Sequence, residues 1–128
     1  VTRYGFDLHG VIDKEVGFYL WYFETLIEEG KEVWVVSGPP TREIEAELFK
    51  LGFLPGQHYT KVESVVDFLT RKRVKMWQDE KNTWWASEED WWSSKAKICE
   101  ENEIEVMFDN SGKYAPYFDA MGIKFELI

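Results

Sequence analysis

The chain is poor in cysteine and in positive charge, and it has no long apolar run. A single cysteine, Cys99, among 128 residues excludes an internal disulfide and fits a reducing compartment. A small buried position on a helix suits it better than redox chemistry. Fifteen Lys and Arg face 24 Asp and Glu, leaving a net charge of −9. That deficit disfavours nucleic acid as a partner, because tight binding needs cations that neutralise phosphates. The one basic run, Arg71-Lys72-Arg73, reads as a solvated face. No stretch approaches the roughly 20 apolar residues of a membrane span. No signal-peptide pattern opens the sequence either, so the expected location is cytoplasmic. Apolar residues make up 45% of the chain and aromatics 17%, which argues against disorder. One domain over 1–128 is expected, large enough to bury roughly two-thirds of its unfolded surface.

Strands and helices alternate along the chain. Residues 3–8 read as a strand, and 14–29 carry apolar groups at helical spacing until Gly30 stops them. Glu32 to Ser37 is nearly all apolar, as in strands buried on both faces of a parallel sheet. Gly38-Pro39-Pro40 breaks it, and Thr41 is expected to cap a helix that ends at Gly52. His58 to Val62 reads as a short strand and Ser64 to Arg71 as a short helix. Val74 to Trp77 and Thr83 to Trp85 are expected to pair as a hairpin across the turn-forming 78–82. Ser87, with Asp90 three residues on, looks like the start of a helix reaching Asn102. Glu103 to Asp109 is a further strand, 113–120 a short helix and 123–127 a last strand. The expected fold is therefore α/β: a three-layer, Rossmann-like domain on a mainly parallel sheet with right-handed crossovers. A small aromatic flap over 74–92 is the only insertion, and no large cap domain fits.

Four polar residues fall where such a sheet holds ligands, at the C-terminal edge of its strands. Asp7 ends the first strand, and Gly10 lets the chain turn sharply after it. Ser37 ends the second, Lys95 lies on the long helix, and Asp109 ends the strand that follows. Each alone has a plain structural explanation. A strand-end Asp is usually a cap or turn residue, Ser37 precedes a turn, Lys95 and Lys97 both suit a helix surface, and Asp109-Asn110-Ser111 suits an Asx turn. Their occurrence together and in order favours a site.

The same residues resemble the haloacid-dehalogenase-like phosphatase superfamily. Phe6-Asp7-Leu8-His9-Gly10-Val11 is similar to its DxDG[TV] signature, and Ser37, Lys95 and Phe108-Asp109-Asn110-Ser111 match the later motifs in order. The tract from Ser94 to Asp109 looks most like small phage and bacterial members and the 5'-nucleotidase-like branch. The resemblance implies that Asp7 attacks phosphorus and becomes a transient aspartyl-phosphate. It implies Mg²⁺ held by Asp7, the backbone carbonyl of His9 and Asp109. Ser37 and the Gly38 amide would hold the phosphoryl group, and the Lys95 ammonium would offset its charge. Lys95 is preferred to Lys97 because its 14-residue distance from Asp109 resembles the relatives.

Two departures stand out. His9 replaces the family's second aspartate, the general acid/base; imidazole can do that work in both directions. Asn110 stands where many relatives carry a second acid, which removes one negative charge from the metal site. Five of the seven tryptophans (Trp77, Trp84, Trp85, Trp91 and Trp92) fall within 16 residues. They either form a miniature lid that stacks on a base or sugar, or pack the sheet edge or a subunit contact. Arg42 and Lys113 lie near the motifs and are otherwise ordinary helix-surface residues.

The expected function is Mg²⁺-dependent hydrolysis of a small phosphorylated substrate, leaning to a nucleotide or nucleotide-like metabolite. A catalytically weak binding domain is the rival, supported by His9 and Asn110. A polynucleotide end phosphatase is disfavoured by the charge. A receiver domain is disfavoured because its acidic pair precedes the phosphorylated Asp on an earlier strand.

Overall fold

A computed structural model describes residues 1–128. Its main sheet has five strands: β1 (Arg3–Phe6), β2 (Glu32–Ser37), β3 (Lys61–Ser64), β6 (Val106–Asp109) and β7 (Lys124–Leu127). They lie in the order β3-β2-β1-β6-β7, every neighbouring pair parallel. Two further strands, β4 (Met76–Gln78) and β5 (Trp84–Ala86), pair antiparallel as a separate hairpin. The helices are α1 (Val16–Glu28), α2 (Thr41–Leu51), α3 (Val65–Arg71), α4 (Glu88–Glu101) and α5 (Ala115–Met121).

The alternation of side chains along β2 sorts the helices into layers. Val33 and Val35 face α1 and α2, where Phe23, Leu26, Ile44 and Leu48 close one core with Phe6, Leu8 and Phe53. Trp34 and Val36 face the other way, into a core with Met107 that is closed by Val65, Phe68 and Leu69 of α3, Ile98 and Cys99 of α4 and Phe118 of α5. Each such fully buried side chain contributes about 1.5–3 kcal/mol of apolar transfer. The three-layer α/β architecture with no large cap follows directly from this double burial.

Local differences from the expected elements have identifiable causes. The first helix is preceded by a 3₁₀ turn, Ile12–Lys14, so α1 begins only at Val16. The final short helix likewise opens with a 3₁₀ turn, Gly112–Tyr114. Thr41 does not cap α2. Extended Pro40 occupies the cap position, and the carboxylate of Asp67 accepts both the Thr41 amide, at 2.9 Å, and the Thr41 hydroxyl. Asp67 also donates its own amide to Ser64, the cap of α3, at 3.0 Å. The strand expected at His58 begins three residues later, at Lys61. His58 is buried in a turn, its Nδ1 accepting the Leu54 amide at 2.9 Å. Gly52 ends α2 with φ 98°, and the Ser87 side chain caps α4 by accepting the Asp90 amide at 3.2 Å, both as expected.

Candidate functional site

The chain runs from β1 to β2 and β3 on one side, then returns to β6 and β7 on the other. β1 and β6 are therefore adjacent, and the strand order reverses between them, which opens a crevice at their C-terminal ends. Asp7 follows β1 directly, its amide held by the Phe108 carbonyl at 2.9 Å, and Asp109 ends β6. Stacked Phe6 and Phe108 rings, 4.7 Å apart, fix the two strands beneath the site.

Lys95 reaches this crevice from α4. It is 2% exposed, and its Nζ lies 2.6 Å from Asp109 Oδ2 and 3.1 Å from Asp7 Oδ1. The Tyr114 ring covers the ammonium, with its centroid 4.6 Å from Nζ. Burial alone depresses the Lys95 pKa, but the carboxylates of Asp7 and Asp109, the latter also accepting a hydrogen bond from Nζ, more than reverse this and hold it above its ordinary value. The ammonium thus stays charged. Lys97, two residues on, is exposed and lines a surface hollow with Asp90 and Glu100. Helical geometry separates the two lysines by about 200° around the axis, so only one can point inward.

Asp109 is fully buried and carries one hydrogen bond on each oxygen, Lys95 on Oδ2 and the Ser111 amide on Oδ1 at 3.0 Å, so each oxygen keeps a lone pair. Asp7 is different. The Leu8 amide, at 3.0 Å, and Lys95 both meet Oδ1, so neither of them occupies Oδ2. Burial raises the Asp7 pKa above its ordinary value; Lys95 lowers it, Asp109 raises it, and a hydrogen bond from the buried Ser37 lowers it again. The upward push wins. With both carboxylates ionised, the cluster carries two negative charges against one positive.

Asp7, Ser37, Lys95 and Asp109 are therefore brought together. Gly38 adjoins Ser37, and the Trp91 ring lies directly over it. His9 goes elsewhere: its ring is half-exposed, and Nε2 lies 2.6 Å from Glu47 Oε2 on α2. Glu47 was not foreseen. Nothing in its helical spacing distinguishes it from the other glutamates of α2, and only the packing of that helix beside the Asp7 loop identifies it. Gly10 is needed twice over. It has φ 90°, and a Cβ there would stand 2.0 Å from Asn110 Nδ2, so the loops after β1 and β6 close against each other at this glycine. Arg42 and Lys113 are both exposed, and Lys113 Nζ lies 5.1 Å from the centroid of Trp92.

No group of three or more carboxylate, histidine or thiol side chains converges anywhere in the molecule. The site offers two carboxylates, with the His9 carbonyl nearby in the chain. Mg²⁺ is ordinarily held by one or two carboxylates with waters and substrate phosphates completing its shell, so the hard-oxygen donors and the negative balance fit that ion. No protein-family model matches the chain, and no curated protein matches it.

Proposed function

We propose that this chain is a Mg²⁺-dependent phosphomonoester hydrolase that works through a covalent phosphoryl group on Asp7. One observation carries the reading: two strand-end carboxylates share one buried lysine at the C-terminal edge of the sheet, and neither that lysine nor the Leu8 amide occupies Asp7 Oδ2. A purely structural ion pair would need one carboxylate, and a second buried beside it is unfavourable unless it serves a ligand.

In this mechanism Asp7 Oδ2 forms a bond to phosphorus as the bond from phosphorus to the leaving oxygen breaks. His9 would supply a proton to that oxygen from Nδ1, the ring nitrogen that Glu47 does not engage. Water then attacks the same phosphorus, passing a proton to His9, and the bond to Asp7 breaks to release inorganic phosphate and restore the carboxylate. Ser37 and the Gly38 amide hold the phosphoryl oxygens. Lys95 offsets their charge and keeps Asp7 and Asp109 from repelling each other. Mg²⁺, held by Asp7, Asp109 and the His9 carbonyl, would neutralise the charge that a carboxylate meets in approaching a phosphate dianion.

The second reading is a phosphate-binding domain without turnover. The His9–Glu47 contact favours it, because one ring nitrogen is already engaged away from Asp7. Phosphate release from a panel of phosphomonoesters, with and without Mg²⁺, separates the two when the native chain is compared with Asp7→Asn. Release that needs both Mg²⁺ and Asp7 supports the enzyme. Retained ligand affinity in Asp7→Asn, with no release from the native chain, supports the binding domain.

A further inference from the structure

The β4–β5 hairpin joins no other sheet, and the phosphoryl chemistry leaves unexplained what it encloses. Between its tip and the loop after β2 lies a cavity of about 410 Å³, walled by Gly38, Pro40, Val66, Asn82, Trp84 and Trp91. Sites for small molecules ordinarily span roughly 300–1,000 Å³. This one begins at the proposed phosphoryl site. A Cβ on Gly38 would stand 3.3 Å from Trp91 Cζ2, so the wall starts one residue beyond Ser37.

Trp84 and Trp91 are half-buried, yet neither stacks on another ring or on a cation. Trp92, by contrast, packs edge-on against Tyr114 and beneath Lys113, and Trp34 carries Arg3 and Lys61. The hairpin tip is already ordered. Asp79 Oδ1 accepts the Lys81 and Thr83 amides at 2.9 and 3.0 Å, and its Oδ2 accepts the Trp85 indole N–H at 3.0 Å. The Asn82 backbone is spent on Asp79 and Gln78, while its exposed side-chain amide has no protein partner and is free to exchange water for a ligand. That amide offers a donor and an acceptor side by side, the pattern that pairs with the polar edge of a base.

We propose that this cavity seats the base of a nucleoside 5'-monophosphate, flat against the Trp84 and Trp91 indoles with the Asn82 amide on its edge, while the phosphate rests on Ser37 and Asp7. The assignment rests on the phosphoryl-transfer reading above. A plain aryl ring would make no use of the Asn82 amide. A polynucleotide would meet a molecule of net charge −9. A mononucleotide satisfies the indoles and the amide together.

The test compares kcat/KM for AMP, CMP, ribose 5-phosphate and phenyl phosphate in the native chain, Trp84→Ala and Trp84→Leu. Circular dichroism checks the fold, and the leucine variant keeps apolar bulk should alanine loosen the hairpin. Calorimetric AMP binding to Asp7→Asn, with and without Trp84→Ala, gives a readout independent of turnover. The native chain should prefer the nucleotides over ribose 5-phosphate, and loss of the indole should cut that ratio and the AMP affinity about 10- to 100-fold, as for lost base stacking. A ratio near one in the native chain, a ratio unmoved in the folded variants, or a preference for phenyl phosphate overturns the base site. If no ester is hydrolysed but AMP binds Asp7→Asn in a Trp84-dependent way, the phosphatase reading fails and the base site stands. If no ester is hydrolysed and AMP does not bind, both fail; if the other esters are hydrolysed and AMP neither binds nor reacts, the phosphatase reading stands and the base site fails.

Discussion

A buried carboxylate loses its hydration, and it persists only where other groups replace the water. For Asp7 the replacement is incomplete, since burial outweighs Lys95 and leaves the pKa raised. The folded state therefore holds this proton more tightly than the unfolded chain does. It follows that ionised Asp7 costs stability above its raised pKa, and the cost fades as the pH falls through that pKa towards the ordinary value of 3.8. In the presence of a chelator, Asp7→Asn should therefore melt higher than the native chain at pH 7. The gap should close as the pH approaches 4. Calorimetric melting at a series of pH values checks this, and a lower-melting Asp7→Asn at neutral pH contradicts it. Cys99 makes a separate case at the same scale. Burial pushes its thiol up to about 12, Lys95 pulls it down and Asp109 raises it again. A thiol reagent at pH 7.5 should leave Cys99 untouched in the native chain and label it promptly in denaturant; labelling without unfolding would show that the α4 core opens.

At the scale of elements, two loops define the site, and Gly10 is where they touch. Alanine there must hold φ 90° and place its Cβ 2.0 Å from the Asn110 amide nitrogen. Backbone strain of this kind costs about 1–3 kcal/mol. Gly10→Ala should therefore lower the denaturation midpoint, and Asn110→Ala in the same chain should recover part of the loss by clearing the contact. Equal destabilisation with and without Asn110 would mean that φ alone governs this position. Elements were legible where one local rule sufficed. The apolar run of β2, the Gly52 stop and the Ser87 cap each depend on neighbours within a few residues. Thr41 was misread because its partner, Asp67, lies 26 residues away on another helix. The start of β3 was misread because buried His58 folds back on Leu54, a turn that composition does not announce. The choice of Lys95 over Lys97 agrees with the direction each takes from α4, while the Glu47 partner of His9 depends on how two helices pack and has no sequence signal.

For the whole molecule, the main question is how a chain of net charge −9 keeps two of its carboxylates buried together at one sheet edge. Two electrostatic effects overlap there and can be separated. Any salt screens the long-range repulsion among surface acids, with a Debye length of about 10 Å at 0.1 M. That stabilisation should be the same in the native chain and in Asp7→Asn. A divalent ion bound at the site adds a further amount that grows logarithmically with its concentration and reaches about 2.7 kcal/mol at a hundred times its dissociation constant. The expected result at constant ionic strength is a melting temperature that climbs steadily with added MgCl₂ in the native chain and stays level in Asp7→Asn. Stripping the metal with a chelator should reverse the climb. NaCl at matched ionic strength should shift both chains alike. A Mg²⁺ response shared equally by both chains would place the ion on the acidic surface, and the pairing of Asp7 with Asp109 around Lys95 would then be an ion cluster that only holds β1, β6 and α4 together.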